Sequence, residues 1–259
     1  MTANLSRIFP VDPQYGHLRD AVWETYIVFS QPYNDPLAVL SEEYARAVDR
    51  IGTKPDRAPG PGNPDEHLGE HLMVFYWRGR LGLDGLAKFY ARASADLRRE
   101  TMEFVGRSLG NTTGDVEAEV VERLIALWQA RFEACRASGD FKELETFGWW
   151  FGSGKLDAEW ALTQVVATLR ATKRIDPDFL VLEKLRELAP TRPQEVIECL
   201  RYMVDGVRES WELHTWHEEM EKTLRAVLRT NDMAAKKEAA NLINILASKG
   251  HVSFRDLLN

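Results

Sequence analysis

Apolar residues recur at three- and four-residue steps along almost the whole chain, which is the spacing of the buried face of an amphipathic helix. One of the most regular runs starts near Asp115 and closes at Gly139, with Val120, Leu124 and Trp128 in its apolar stripe. No segment shows a convincing alternation of apolar and polar residues, the pattern typical of a strand. The pattern therefore predicts an all-α protein.

Helix-start signals separate these runs. Three Asp-Pro pairs, at Asp12, Asp35 and Asp176, place an acceptor oxygen before a proline that can occupy the first helical position. The further candidates for N-terminal caps are all aspartates, namely Asp65, Asp84, Asp115 and Asp157. Beyond the N-terminal region, the signals and the periodicity together predict helices at about 65–79, 84–109, 115–139, 140–151, 157–173, 176–189 and 193–205, followed by a further pair before Gly250.

Composition divides the chain into three segments. Residues 1–51 carry two amphipathic runs and predict an N-terminal helical hairpin. Residues 52–64 concentrate Gly, Pro, Asp and Asn, so they can neither continue a helix nor pair in a sheet, and they predict a loop or linker. Residues 65–259 predict an array of helices, either separate from the hairpin or continuous with it in one domain.

The last helices indicate repetition. Apolar residues of 182–188 face a partner run that ends at Gly206, and a second pair of runs ends at Gly250, 44 positions later. That spacing lies within the period of about 40 to 47 residues of HEAT or armadillo repeats. The segment from Leu224 to Gly250 also resembles a HEAT repeat, with a first helix, an Asn-Asp turn and a second helix that starts with lysines. The resemblance implies stacked antiparallel helix pairs in a HEAT-like α–α superhelix, whose grooves bind peptides, helices or other subunits.

Charge and composition narrow the range of partners. The hydrophobic fraction of 44% and the charged fraction of 28% are those of a folded soluble protein. With a net charge of −7, the chain is not expected to bind nucleic acid in general or an anionic membrane, because such binding requires Lys and Arg. The absence of a secretion signal and of a long apolar run predicts a cytoplasmic protein, in which Cys135 and Cys199 are reduced and buried.

One short pattern suggests a metal site. His67, Glu70 and His71 match H-x-x-E-H, in which two imidazoles one helical turn apart share a zinc ion and the glutamate polarises a water. The run from His67 to Gly79 is similar to the motif region of the insulinase-like inverzincins, which implies a zinc peptidase with a third ligand on a later helix, here Glu143 or Glu145. Those enzymes set the motif in a mixed α/β domain, whereas a predicted helical hairpin precedes it here. We therefore favour a structural role and predict no metal or cofactor. In that role both histidines are polar edge residues of a helix whose inner face is Leu68, Leu72, Phe75 and Tyr76.

A tryptophan-rich run is the first candidate binding surface. Trp211 and Trp216 lie among glutamates, so they would form an anionic aromatic surface for a basic partner, provided that they are exposed. His214 and His217 lie one turn apart and would bind a transition metal if a third ligand arrived. Packing at the edge of a groove is the interpretation that we favour for these two histidines.

The second candidate is the aromatic run from Phe147 to Phe151, which contains Trp149 and Trp150. So many rings cannot all face one side of a helix, so at least one should reach a neighbouring element or the surface. A core junction at a glycine corner is the favoured interpretation, and an aromatic binding hot spot is the alternative.

Two stretches, residues 71–79 and 147–151, resemble the helical C-terminal regions of large bacterial phage-defence proteins that carry an N-terminal nucleotide-hydrolysing or sirtuin-like effector domain. The resemblance implies a sensor or interaction module and, without the effector domain, a fragment or a separate subunit. The chain has no P-loop and no C-x-x-C pair. We therefore expect a non-enzymatic scaffold that binds a protein partner. The zinc peptidase is the alternative, and a small-molecule sensor would require an apolar pocket between helices.

Overall fold

The computed structural model describes residues 23, 25–28, 44–52 and 63–259. Within these residues the regular structure is helical and contains no strand, so the all-α prediction is confirmed. The chain forms two compact units. Unit 1 holds the described residues up to Val105 together with Val116–Glu143, and unit 2 holds Gly106–Asp115 and Leu144–Asn259.

The long helices that the structure describes as beginning in unit 1 are α1 (Pro64–Trp77), α2 (Leu83–Arg92), α3 (Ala95–Asn111) and α4 (Ala118–Ser138). The last residues of α3 belong to unit 2. Shorter helical stretches occupy 25–28 and 44–49. Most of the hairpin predicted over 1–51 and of the loop predicted over 52–64 lies outside the described residues.

The single helix predicted over 84–109 is two helices, α2 and α3. The chain turns at Ala93, whose backbone is extended (ψ 136°). The hydroxyl of Ser94 then accepts a hydrogen bond from the backbone N–H of Leu97 at 3.1 Å, which caps the start of α3. Apolar periodicity runs through both helices, so it does not reveal the break, whereas the capping serine is a local signal for it.

Helix caps agree with the sequence at Asp157, whose carboxylate accepts from the backbone N–H of Trp160 at 2.8 Å. The first helix of unit 1 is capped by Asn63 rather than by Asp65. The prediction that Pro177 occupies a first helical position is wrong, because the helix there begins at Asp178. Asp84 and Asp115 are not caps, because each lies two positions from the observed cap residue, Gly82 or Glu117. The predicted caps at Asp12 and Asp35 fall outside the described residues.

Unit 2 is built from three successive helix pairs. They are α5 (Phe147–Gly152) with α6 (Ala158–Thr172), α7 (Asp178–Leu188) with α8 (Pro193–Gly206), and α9 (Ser210–Leu228) with α10 (Met233–Ser248). Helix α7 packs on both α5 and α9, and we call these three helices the first layer. Helix α8 packs on both α6 and α10, which form the second layer. A 3₁₀ helix at Val252–Leu258, which periodicity does not predict, packs on α9 and α10.

Helices within one layer run parallel. A β-carbon added at Gly148 of α5 would lie 2.6 Å from the carbonyl oxygen of Asp176, and one added at Gly152 would lie 2.8 Å from the β-carbon of Leu180 in α7. Both contacts join positions 28 residues apart, so α5 and α7 point the same way. The first-layer helices begin 31 and 32 residues apart, and those of the second layer begin 35 and 40 residues apart. These intervals are shorter than the spacing of 44 between Gly206 and Gly250 in the sequence.

Candidate functional site

The H-x-x-E-H match lies in α1, where its two histidines have different surroundings. His71 is fully buried, and its Nδ1 lies 2.6 Å from the hydroxyl of Tyr44. His67 is half-buried, and its Nδ1 lies 3.2 Å from a carboxylate oxygen of Glu70. The expectation that both histidines lie on a polar edge is therefore wrong for His71, which belongs to the core of unit 1.

Glu143, one of the two glutamates considered as a third zinc ligand, has other partners. Both oxygens of Glu143 accept hydrogen bonds from the guanidinium of Arg131, at 2.9 and 2.6 Å. The Nε of Arg98 lies 3.3 Å from the same carboxylate. Within the described ranges, no group of three His, Cys, Asp or Glu side chains is arranged to hold a metal ion. The described residues therefore supply no ligand set for the zinc hypothesis.

The two tryptophans of α9 differ in exposure. Trp211 is 61% exposed, whereas Trp216 is 7% exposed. The indole N–H of Trp216 donates to the carboxylate of Asp178 at 2.7 Å, so this side chain joins α9 to the start of α7. Only Trp211 of this pair is open to a partner.

The glutamates near Trp211 do not form an unpaired anionic surface. Lys222 donates hydrogen bonds to Glu218 and Glu219. Arg186 of α7 also donates to Glu219, and Arg225 donates to Glu221. Two others, Glu209 and Glu212, form the capping box at the start of α9. A strongly basic partner therefore gains less from this surface than the sequence suggests.

Three imidazoles meet beside the C-terminal 3₁₀ helix. The ring centres of His214 and His251 lie 4.9 Å apart. The ring of His217 packs against that of Phe254 at 4.6 Å, tilted by 36°, and its Nε2 lies 2.9 Å from the hydroxyl of Ser253. Burial, together with the nearby His214 and His217, lowers the pKa of His251. Sequence reasoning found the first two histidines and missed His251, because it lies beyond the last predicted helix and no spacing rule connects it to α9. The group joins α9 to the start of the 3₁₀ helix.

The aromatic run of α5 is divided between core and surface. Trp150 is fully buried and stacks on Phe147, with ring centres 6.3 Å apart. Trp149 is half-buried, and the guanidinium carbon of Arg107 lies 5.5 Å from the centre of its ring. Trp150 is thus part of a core junction, and Trp149 is the member of the run that reaches the surface.

Trp149 lines an open pocket of about 360 Å³ in unit 2. Besides glycines of α3 and α5, the walls are formed by Arg107, Asn111, Trp149, Ser153 and Leu180. The residues come from the last turns of α3, from α5 and the residue after it, and from the start of α7. Sequence reasoning missed this pocket, because its walls are far apart in the chain and meet only by packing of the helices.

A second pocket, of about 320 Å³, lies between α8 and α10 of the second layer. Ile197 and Ala235 supply apolar surface, and Glu198, Arg201 and Glu238 supply charges of both signs. Glu198 accepts a hydrogen bond from Arg170 at 2.8 Å. Because acidic and basic side chains lie together at this pocket, its charges do not favour a ligand of either sign.

Comparisons of the chain with models of protein families, with curated proteins and with solved structures yield no significant match. Among the residues that the structure describes, no helix has both the length and the apolar character needed to cross a bilayer. A helical architecture of this kind hosts many functions, so function has to be derived from the surfaces themselves. The exposed aromatic side chains of the first layer are the feature that distinguishes those surfaces.

Proposed function

We propose that this protein is a non-enzymatic scaffold of stacked, HEAT-like helix pairs that binds a protein partner through exposed aromatic side chains of the first layer. The observation that carries the proposal is the exposure of Trp211. Phe179 at the start of α7 is also 54% exposed. Trp211 and Phe179 are each the second residue of their helices, which are neighbours in the first layer. We call these two side chains the aromatic edge.

Exposed large aromatic side chains favour a role in binding. An indole has a large apolar area, and its transfer from water to an interface is favourable. Tryptophan is accordingly enriched among the few interface residues that contribute most of the binding energy. Trp211 is not needed for the core, because Trp216 supplies the buried indole of α9. The surface position of Trp211 is therefore available to a partner.

The backbone that carries Trp211 is held in place on both sides. The capping box of Glu209 and Glu212 fixes the first turn of α9. One turn further along, the hydrogen bond from Trp216 to Asp178 ties α9 to α7. A side chain on a fixed helix loses less entropy on binding than one on a loose loop. This supports Trp211 as an anchor for a partner.

The setting of the proposed scaffold follows from the resemblance of residues 71–79 and 147–151 to helical regions of bacterial defence proteins. We include a role in bacterial defence and a cytoplasmic location in the proposal. The partner is expected to be a protein that presents an apolar or aromatic pocket to Trp211. A general affinity for nucleic acid is not part of the proposal, because the net charge is −7.

The test compares Trp211→Ala with Met233→Ala in affinity capture from cell extract. Met233 is 73% exposed and begins α10 of the second layer, so its variant is a matched loss of exposed apolar surface on the other layer. A partner that stays with wild type and Met233→Ala but is lost from Trp211→Ala would support the proposal. With purified partner we expect binding to Trp211→Ala to be at least about tenfold weaker. Equal capture by both variants would show that Trp211 is not the anchor.

A further inference from the structure

The pocket between α8 and α10 is formed by one face of each helix. Its α8 wall consists of residues at positions i, i+3, i+4 and i+7, which are Gln194, Ile197, Glu198 and Arg201. Its α10 wall consists of two alanines and a glutamate, which are Ala234, Ala235 and Glu238. The short alanine side chains leave space between the helices, and the volume of about 320 Å³ lies at the lower end of the range of small-molecule sites. The pocket therefore suits one small molecule.

The floor of this pocket is apolar. Ile197 of α8 and Ala235 of α10 are both buried in the fold, yet both contribute surface to the pocket. A hydrocarbon group placed against them would leave water at the same time as it covered their remaining apolar surface. The floor therefore favours a ligand that carries an aliphatic group.

Two of the polar residues that line the pocket already have partners elsewhere. The carboxylate of Glu198 accepts a hydrogen bond from Arg170 at 2.8 Å. The side-chain amide of Gln194 donates to the carboxylate of Asp232 at 2.8 Å. The charged groups of the pocket that remain for a ligand are those of Arg201 and Glu238.

Arg201 and Glu238 line the same pocket from opposite helices without pairing. Among the described residues, no carboxylate forms an ion pair with Arg201 and no cation forms one with Glu238. The guanidinium carbon of Arg201 lies 5.8 Å from the ring centre of Tyr202, a contact that leaves its N–H donors available. The carboxylate of Glu238 accepts one hydrogen bond from the amide of Asn241 at 3.4 Å, which does not neutralise its charge. A cation and an anion are thus both open to a ligand.

We propose that this pocket binds a free α-amino acid with an aliphatic side chain. Such a ligand carries a carboxylate and an ammonium on the same carbon, so it can satisfy Arg201 and Glu238 together. Its side chain would lie on the apolar floor of Ile197 and Ala235. A pocket that favours neither sign of charge is therefore still selective, because a zwitterion offers both. The site lies in the second layer and is separate from the aromatic edge, so the inference does not rest on the proposed scaffold.

The first experiment is an NMR titration of the ¹⁵N-labelled full chain with L-leucine, L-isoleucine, L-valine and L-methionine. We expect saturable binding of at least one of them, with the largest shifts at the backbone amides of residues that line the pocket. No saturable shift with any of the four up to about 10 mM would overturn the inference. Saturable shifts confined to amides far from the pocket would also overturn it.

Two derivatives of the amino acid that binds test the recognition of both charges. The N-acetyl derivative keeps the carboxylate and loses the ammonium, whereas the carboxamide derivative keeps the ammonium and loses the carboxylate. Each is expected to bind at least about tenfold more weakly than the free amino acid. If either derivative binds as tightly as the free amino acid, the pocket does not recognise a zwitterion and the inference is overturned.

Two variants assign each charge to its partner. Arg201→Gln and Glu238→Gln should each weaken binding of the free amino acid at least about tenfold. In Arg201→Gln the carboxamide derivative should bind about as well as the free amino acid, because the carboxylate has lost its partner. In Glu238→Gln the same should hold for the N-acetyl derivative.

The matched controls are Asp205→Asn and Lys237→Gln. Asp205 lies one turn after Arg201 on α8, and Lys237 precedes Glu238 on α10, and both are exposed charged residues that do not line the pocket. Both controls are expected to bind the amino acid within about twofold of wild type.

Arg201→Gln and Glu238→Gln are the decisive variants, because both side chains are exposed and the fold should persist. Circular dichroism and thermal denaturation of each variant establish that it has folded. Undiminished binding of the amino acid by either folded variant would overturn the inference. None of these results bears on partner capture by Trp211, so the two proposals fail independently.

Discussion

The two units stabilise their helices differently. Unit 1 buries a charged network around Glu143, the one fully buried carboxylate among the described residues. Arg131, which binds both oxygens of that carboxylate, also lies 3.9 Å from the ring centre of Tyr90. Unit 2 has ion pairs at its surface, such as Arg170 with Glu198, and brings its helices together through glycines such as Gly148.

This difference determines which substitutions each unit tolerates. Removing one member of a buried ion pair leaves the other charge without compensation in a medium of low polarity, which is strongly destabilising. Removing one member of an exposed pair leaves a charge that water solvates. A glycine at a close contact cannot accept even a methyl group, because an interior has no spare volume. Loss of the buried charge should therefore be costly in unit 1, and added volume should be costly at glycine contacts such as Gly148 in unit 2.

The largest effect is expected for Glu143→Gln. The substitution preserves the shape of the side chain but leaves Arg131 and Arg98 without their buried counter-charge. We expect the free energy of unfolding of unit 1 to fall by about 3–5 kcal/mol. Urea denaturation gives the loss, and amide hydrogen exchange in α2 and α4 assigns it to unit 1.

The matched control is Glu198→Gln, which removes a carboxylate from an exposed pair in unit 2. Arg170, its partner, is 64% exposed at the side chain and stays solvated when the carboxylate is lost. The urea midpoint of this variant is expected to lie within error of wild type. If both variants lose similar stability, burial of charge is not what distinguishes the two units.

A smaller loss is expected for Gly148→Ala in unit 2. The new β-carbon would lie 2.6 Å from the carbonyl oxygen of Asp176 and 2.8 Å from the nitrogen of Pro177, so backbone would have to move. We expect a loss of about 1–3 kcal/mol in thermal or urea denaturation. Gly110→Ala is the control, and we expect it to gain about 0.5–1 kcal/mol, since its β-carbon is unobstructed and alanine favours the helix. If Gly110→Ala also destabilised the protein, the loss in Gly148→Ala could not be attributed to the close contact with Asp176 and Pro177.

The smallest effect is a pH dependence of unit 2 that depends on His251. Because the folded state lowers the pKa of this imidazole, the unfolded state binds a proton more readily. The stability contribution is present above the ordinary pKa of about 6.5 and is lost as the pH falls toward the lowered value. We expect the thermal midpoint of wild type to fall between pH 7.5 and pH 5 by more than that of His251→Asn.

The comparison with His251→Asn is needed because another group changes its protonation over a similar range of pH. That group affects the stability of the folded state in the opposite direction. In unit 1, burial and the carboxylate of Glu66 raise the pKa of Glu100 to about 7, so its contribution to stability is lost as the pH rises. That effect is common to wild type and variant and cancels in the difference. If the thermal midpoint of His251→Asn depends on pH as that of wild type does, the histidine cluster does not contribute to the pH dependence.

Much of the helical structure follows from the sequence, and part of the exposure pattern does too. Trp216 shares a helix face with Leu213 and Met220 at three- and four-residue steps, and all three are buried. Trp211 does not fit that series, and it is exposed. The periodicity of α9 therefore distinguishes the buried Trp216 from the exposed Trp211, whereas the shared glutamate-rich surroundings of the two tryptophans do not. Local chemistry likewise identified the cap at Asp157.

The pocket and the histidine cluster could not be predicted in this way. Gly106 and Trp149 are 43 positions apart, and no local pattern states that their helices touch. His251 meets His214 only because the final 3₁₀ helix packs on α9 and α10. Similarly, no spacing rule places the hydroxyl of Tyr44 on His71. Contacts of this kind depend on how whole helices pack, which periodicity of single helices does not encode.

The two parallel layers of unit 2 have a consequence for how such a molecule can evolve. Each helix pair packs on the next through a first-layer contact and a second-layer contact, and both kinds of contact recur from pair to pair. Duplication of one pair would therefore present surfaces that its neighbours already accommodate. The number of exposed aromatic side chains could grow by whole pairs while the existing ones stayed in place.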